Sequence, residues 1–205
     1  MTTSKNLLRQ FISDPLSVPL LFAPKRFSDP RGWFSEAYNE RTLQQHGITC
    51  GFVQDNQSHS LRTGTIRGLH FQRPPFGQAK VVRVLRGRIF DVAVDIRIGS
   101  PTYGQFVAAE LSADNGHQLY VPVGFAHGFC TLEEHTEVLY KVSASYSPAH
   151  EDGIRWDDTT VSVSWPVPRD AVLVSEKDAA LPSLQHMTSP FNYAGGVMQP
   201  LALAA

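Results

Sequence analysis

Arg67, His70 and Lys80 fall in one short stretch of this chain, between Thr65 and Lys80. They bring together a guanidinium, a side chain that titrates near neutrality and an ammonium. That set suits an anionic substrate with an acidic C–H bond. The imidazole abstracts the proton, and the cations hold the charge that develops on oxygen. A lone histidine in a strand serves structure equally well, so these three residues do not decide the matter alone. Period two puts Ile66, Gly68, His70 and Gln72 on one strand face and Arg67, Leu69 and Phe71 on the other. Arg67 and His70 can serve one site only if the strand is irregular between them. Gly68 is the expected position of a bulge or strong twist.

Other residues carry two readings each. Arg31 and Glu36 form either a surface ion pair on a hairpin or contacts to a phosphate and a nucleoside. Gln54 and Asn56 share a strand face, as amide readers of a base or sugar would, though turn residues look the same. Asp91 either orients a histidine or lies on a solvated strand face. His127, set among aromatics in Val123-Gly-Phe-Ala-His-Gly-Phe129, is either a core histidine or part of a site. Tyr140 is core unless its face lines a cavity. Metal sites need several His and carboxylate ligands converging, and His70 has no second His one or two residues away. The sequence therefore points away from a catalytic metal.

The elements that must position these residues are mostly strands. Leu20-Leu-Phe-Ala23 reads as a strand. Asp29-Pro-Arg-Gly32 has turn chemistry, and the alternation of Phe34, Glu36 and Tyr38 continues a second hairpin strand. Asn39 to Gly47 is the best helix, with Asn39 as N-cap and Gly47 beyond its end. Strands follow over Phe52–Ser58, Thr65–Gln72, Lys80–Leu85, Ile89–Arg97, Gln105–Leu111, Leu119–Pro122 and Glu137–Ser143, with further short strands in Glu151–Trp165. Phe90, Val92, Val94 and Ile96 form one apolar face, and Asp91, Asp95 and Arg97 mark the other. Ser175-Glu-Lys-Asp178 is a polar segment. Leu7, Leu8 and Phe11 suggest one turn of apolar helix face, ended by Pro15 and Pro19. Short strands punctuated by Gly and Pro predict an all-β fold, best a jelly roll enclosing a cavity.

With 205 residues and a net charge of -1, the chain is long enough for one core and lacks a basic stripe for nucleic acid. One domain over 1–205 is expected, with its core at residues 20–185 and a peripheral lead-in and tail. Cys50 and Cys130 do not form a disulfide framework and fit a reducing cytosol. The first residues lack an apolar signal-peptide segment, and no apolar run is long enough to span a bilayer. The expected location is the cytoplasm.

An ordered series of motifs then resembles one family. These are Asp29-Pro-Arg-Gly-Trp-Phe-Ser-Glu36, Phe52-Val-Gln-Asp-Asn56, Arg67-Gly-Leu-His-Phe-Gln72, Gln78-Ala-Lys80, Phe90-Asp-Val-Ala-Val-Asp-Ile-Arg97, Ser100-Pro-Thr-Tyr-Gly104, Pro122-Val-Gly-Phe-Ala-His-Gly-Phe129, Leu139-Tyr-Lys141 and Ser175-Glu-Lys-Asp178. Together they resemble the dTDP-4-dehydrorhamnose 3,5-epimerases, nucleotide-sugar epimerases of the rhamnose pathway. The resemblance covers roughly residues 20–185; the loop Leu61-Arg-Thr63 looks one residue longer than usual, and the leading and trailing segments fall outside the match. The resemblance implies a cupin-type jelly roll, acting as a homodimer without metal or other cofactor on dTDP-4-keto-6-deoxyglucose. It implies His70 as base, Tyr140 as proton donor, Asp178 as the carboxylate paired with the base, and Lys80 as the cation at the enolate. Arg67 and His127 would line the substrate site. Arg31, Phe34, Glu36, Gln54, Asn56, Glu151 and Lys177 resemble nucleotide and diphosphate contacts. Two other activities share most of these motifs: epimerisation at C3 only, and binding of a sugar nucleotide without catalysis.

Overall fold

The computed structural model describes residues 16–204. The lead-in helix expected around Leu7, Leu8 and Phe11 lies outside the described residues. In chain order the strands are β1 (Leu20–Phe22), β2 (Arg26–Asp29), β3 (Gly32–Ser35), β4 (Gln54–Ser60), β5 (Ile66–Gln72), β6 (Lys80–Arg86), β7 (Arg88–Asp95), β8 (Phe106–Ser112), β9 (Gln118–Val121), β10 (Phe125–Thr131), β11 (Thr136–Val142), β12 (Glu151–Gly153) and β13 (Leu203–Ala204). Helix α1 (Glu40–Gln45) follows the β2–β3 hairpin, and α2 (Glu176–Ala179) is a single turn near the end.

A six-stranded sheet, β13-β1-β9-β6-β11-β4, faces a five-stranded sheet, β12-β5-β10-β7-β8. The chain passes between the sheets repeatedly, so that β6 and β7, or β10 and β11, are sequence neighbours in different layers. This is a cupin-like jelly-roll sandwich, as the strand pattern predicted. Val82 and Val84 of β6, Leu119 of β9, Val138 of β11, Ala93 of β7 and Phe125 and Phe129 of β10 fill the space between the sheets. Each large side chain buried there stabilises the fold by about 1.5–3 kcal/mol.

Both sheets are also covered on their outer faces. Leu43 of α1 and Ile48 pack with Val81 and Tyr120 on the outside of the six-stranded sheet. Ile154, Val161, Leu184, Met187 and Phe191 cover Val92, Val94 and Ala126 on the outside of the five-stranded one. This double cover explains β10, whose seven residues are all buried. A central strand without a solvated face has no polar alternation to betray it. The sequence pattern accordingly marked Val123–Phe129 only as a glycine-bounded segment.

Several local expectations hold. The Asn39 side chain accepts from the Arg41 N–H at 3.0 Å and caps α1. Others need correction. The second hairpin strand ends at Ser35, before Glu36 and Tyr38. Of the short strands expected in Glu151–Trp165, only β12 exists; the rest of that segment is an irregular cover. Asp91 and Asp95 do not lie on a solvated face, since both are fully buried. The carboxylate of Asp95 pairs with Arg97 at 2.6 Å and accepts from Ser100 and Thr102.

The expected bulge in β5 is present. On β10, His127 pairs with His70 and Phe129 with Arg67, so one residue of β10 opposes both Gly68 and Leu69. The extra residue returns Arg67 and His70 to the same face. Gly68 has φ +117°, and a Cβ there would lie 2.6 Å from Gly128 Cα and from the His127 carbonyl. Gly68→Ala is therefore expected to lower stability by at least about 2 kcal/mol through strain and overpacking. Urea denaturation tests this; an unchanged midpoint would show that the bulge tolerates a side chain.

Candidate active site

The bulge directs His70 into the gap between the sheets, where Asp178 of α2 meets it. His70 Nε2 lies 2.8 Å from Asp178 Oδ1. The Gly68 N–H donates to the other carboxylate oxygen at 3.2 Å. Burial pushes the Asp178 carboxyl up, but the hydrogen bonds from His70 and Gly68 outweigh it and hold the group below the usual carboxylate range. An ionised carboxylate only accepts, so His70 Nε2 carries the hydrogen and Nδ1 keeps the lone pair.

Lys80 begins β6 on the facing sheet. Its ammonium is buried and donates to the His70 carbonyl at 3.3 Å. Burial lowers its pKa to about 8, against the pull of the Asp91 and Glu151 carboxylates. His127, beside His70 on β10, is buried and bonded through Nε2 to Asp91 Oδ1 at 2.7 Å. Burial drives the His127 pKa down despite Asp91, so this ring is mostly neutral near pH 7. Of the two readings of Asp91, the orienting one describes the structure.

Tyr140 lies on β11, paired with Val82 and with Asn56, and packs against the core between the sheets. It therefore stands on the sheet opposite His70. Burial raises its hydroxyl pKa, while the Arg67 guanidinium opposes the rise. Arg67 is held by Ser60 Oγ at 3.2 Å and the His59 carbonyl at 3.2 Å.

The mouth of the gap is polar. Glu151 Oε2 accepts from Lys177 Nζ at 2.6 Å and from the Tyr146 hydroxyl at 2.5 Å. Tyr146 was not singled out in the sequence, because a lone tyrosine in a serine-rich loop carries no periodic signal. Three glutamines hold its loop. Gln78 donates to Ala144 O, Gln72 bridges Ser145 O and the Ser147 N–H, and Gln54 accepts from the Tyr146 N–H. The Gln54 amide also donates to Asn56 Oδ1 at 2.8 Å.

His70, Lys80, Arg67, His127, Tyr140, Asp178, Gln54, Asn56, Glu151 and Lys177 are thus gathered around one gap. Arg31, Phe34 and Glu36 are not. They lie on or just beyond the β2–β3 hairpin, which docks on the outside of the six-stranded sheet. The Ala37 carbonyl there accepts from Gln118, whose neighbours Leu119 and Val121 point the other way into the core. Arg31 is 89% exposed and pairs with Asp29 at 2.6 Å, not with Glu36. A cavity of about 510 Å³ between hairpin and α1 is lined by Phe27, Glu36, Tyr38 and His46, and none of the acid–base residues reach it.

The arrangement can take a proton at His70 Nδ1, place positive charge at Lys80 and present a hydroxyl from across the gap. Known proteins agree with that chemistry. A family model described as dTDP-4-dehydrorhamnose 3,5-epimerase matches residues 15–186. The dTDP-4-dehydrorhamnose 3,5-epimerase of Sinorhizobium fredii is 52% identical over 173 residues, covering 84% of this chain and 88% of that protein. The crystal structure of the Bacillus anthracis dTDP-4-dehydrorhamnose 3,5-epimerase with TDP and PPi bound superposes with a TM-score of 0.78 at 50% identity, covering 80% of this chain and 93% of the other. The dTDP-6-deoxy-D-glucose-3,5-epimerase of Legionella pneumophila, in complex with dTDP-4-keto-L-rhamnose, gives 0.80 at 38% identity, covering 86% and 100%. A dTDP-4-dehydrorhamnose 3-epimerase of Streptomyces niveus is 37% identical over 191 residues, covering 86% of this chain and 92% of that protein.

Fold, site and relatives define a jelly-roll nucleotide-sugar epimerase. The chain belongs to the dTDP-4-dehydrorhamnose 3,5-epimerase family.

The buried ammonium has a measurable cost. Lys80 is charged in the unfolded chain up to its ordinary pKa of 10.5 but in the folded chain only to about 8. Folding is penalised fully below pH 8, and the penalty fades as pH rises toward 10.5. Lys80→Met is expected to be more stable at pH 7 by up to roughly 3 kcal/mol. The gap should close at high pH in urea titrations. A variant less stable than the parent at pH 7 would contradict this.

Proposed function

We propose that this chain epimerises C3 and C5 of dTDP-4-dehydro-6-deoxy-D-glucose to give dTDP-4-dehydro-L-rhamnose. The observation that carries this reading is His70 on one sheet, paired with Asp178 of α2, facing Tyr140 on the other sheet. The C4 ketone acidifies the hydrogens on C3 and C5. His70 Nδ1 takes one proton, and the C–H electron pair moves through the new C=C bond onto the C4 oxygen. Lys80 donates to that enolate oxygen; removing one such donor typically slows a reaction by about 10²–10³. Tyr140 then returns a proton to the carbon from the opposite face, which inverts it. The Arg67 charge stabilises the phenolate left behind. Asp178 keeps the His70 tautomer and balances the imidazolium. His70 and Tyr140 reset by exchange with solvent, and the cycle repeats at the second carbon.

In this scheme neither a metal nor an organic cofactor has a task, because Lys80 supplies the positive charge. Gln54, Asn56, Glu151, Lys177 and His127 bind the nucleotide sugar around the gap. No helix among the described residues is long and apolar enough to cross a membrane. A reducing cytoplasm suits the two free cysteines, Cys50 and Cys130. The C3-only reading is less well supported, since the relatives of higher identity are named as 3,5-epimerases.

The hairpin supports a homodimer. Arg31, Phe34 and Glu36 sit outside the six-stranded sheet, so they can touch substrate only in a second copy's gap. Phe27, Trp33 and Phe34 are all more than half exposed on this hairpin, as an unpartnered contact surface would be.

Two experiments test these assignments. NMR of the sugar in D₂O should show deuterium at C3 and C5 with inversion at both. Tyr140→Phe should still exchange deuterium, because His70 can return a proton to the face it took it from, but should lose inversion at one or both centres. His70→Ala should lose exchange as well. Near-parental inversion by Tyr140→Phe would remove Tyr140 as donor, and labelling at C3 alone would convert the activity to the single epimerisation.

Arg31→Ala should raise KM more than it lowers kcat, as expected for a contact remote from the reacting carbons. Mixing Arg31→Ala with His70→Ala subunits should then restore activity at low substrate, because mixed dimers contain one intact site. A mixture no more active than the sum of its parts would place Arg31 outside the partner's site.

A further inference from the structure

We propose that Ser175 is a positioning residue for the reaction, acting through Asp178 as the N-cap of the single helical turn that carries it. The proposal rests on the assignment of His70 and Asp178 above.

The turn α2 has only four residues. A helix this short has no intrinsic stability in water, and its shape depends on capping and on its neighbours. Two anchors are visible. Upstream, the chain is stapled to the start of β5: the Ile66 N–H donates to Leu173 O at 2.8 Å, and the Leu173 N–H donates to Gly64 O at 2.9 Å. At the turn itself, Ser175 Oγ accepts from the Asp178 N–H at 3.1 Å, and Ser175 O accepts from the Ala179 N–H at 2.9 Å. The cap bond therefore ends on the backbone of the very residue whose carboxylate must reach both His70 Nε2 and the Gly68 N–H. Ser175 has no contact with the reacting groups of its own. It is exposed, so loss of its hydroxyl opens no cavity.

Asp178 needs this support because its task is geometric. A carboxylate that drifts from His70 Nε2 releases the imidazole to change tautomer or turn, and the lone pair no longer points into the gap. The Ser175 side chain also helps, as a small contributor beside His70, to hold the Asp178 carboxyl below the usual carboxylate range. Sequence inspection reads Ser175-Glu-Lys-Asp178 as a polar segment and as one motif of the family resemblance, with no role for the serine. The serine's role depends on where the turn docks.

A double-mutant cycle separates positioning from general structural support. Ser175→Ala should slow deuterium exchange into the sugar about fivefold, the rate equivalent of a lost N-cap. In the Asp178→Asn background the same change should cost less than about twofold, because the residue it acts through is already disabled. Ser175→Thr should restore the rate, since threonine also caps. Equal losses in both backgrounds, or no rescue by threonine, would overturn the proposal. A second readout does not depend on turnover. Nitrogen-15 NMR of the His70 ring should show the Nε2–H tautomer in the parent and in Ser175→Thr, and a tautomer mixture in Ser175→Ala. An unchanged tautomer in Ser175→Ala would also overturn it. If the parent protein exchanged no deuterium, the assigned activity would be at fault, and the ring spectra would still decide the role of Ser175.

Discussion

The close approach of β5 to β10 at Gly68 is the constraint on which the site depends. One residue of β10 faces two of β5, and no side chain fits where Gly68 meets Gly128. Three consequences follow from this single irregularity. Arg67 and His70 share a face, which strict alternation forbids. The Gly68 N–H, freed from the regular ladder, turns to Asp178. His70 lies directly opposite His127, so the two imidazoles of the site come from paired positions on adjacent strands.

Around that bulge many polar groups are buried, which strengthens each electrostatic interaction and makes each unpaired charge costly. The chain meets this cost by pairing. Asp178 has His70, Asp91 has His127, and Asp95 has Arg97 with two hydroxyls. Lys80 is the exception. Its lowered pKa reflects burial that nearby carboxylates only partly offset. A cation that is poorly satisfied in the free protein is well suited to a substrate that develops negative charge during reaction, because its strongest partner then forms only in the transition state.

The site also has an inner and an outer part. His70, Lys80 and Tyr140 project from β5, β6 and β11, whereas Glu151, Tyr146 and Lys177 at the mouth come from β12, the loop before it and the turn α2. The loop that carries Tyr146 is held by hydrogen bonds with glutamines at three separate positions in the chain. The hairpin with Arg31 and Phe34 is the least enclosed part and faces away from its own gap.

Much of this was legible in the chain alone. Strand positions followed from alternation and turn residues, the α1 cap from Asn39, and the bulge from the need to reconcile Arg67 with His70 across Gly68. The residue types at Arg67, His70 and Lys80 suggested chemistry on an acidic C–H bond, and the family resemblance supplied the acid, Tyr140. Periodicity failed where both faces of a strand are buried, as in β10, and where aspartates mark an inner face, as in β7. Local pattern reports polarity, and burial of a polar residue is decided by what packs on it from far along the chain. Local pattern did not say which carboxylate serves which histidine, since Asp178 and His70 are 108 positions apart; the family resemblance implied that pair, and the tertiary structure brings it together. It also decided that the hairpin residues lie outside their own gap, because a strand's sequence does not say which side of a distant sheet it will cover.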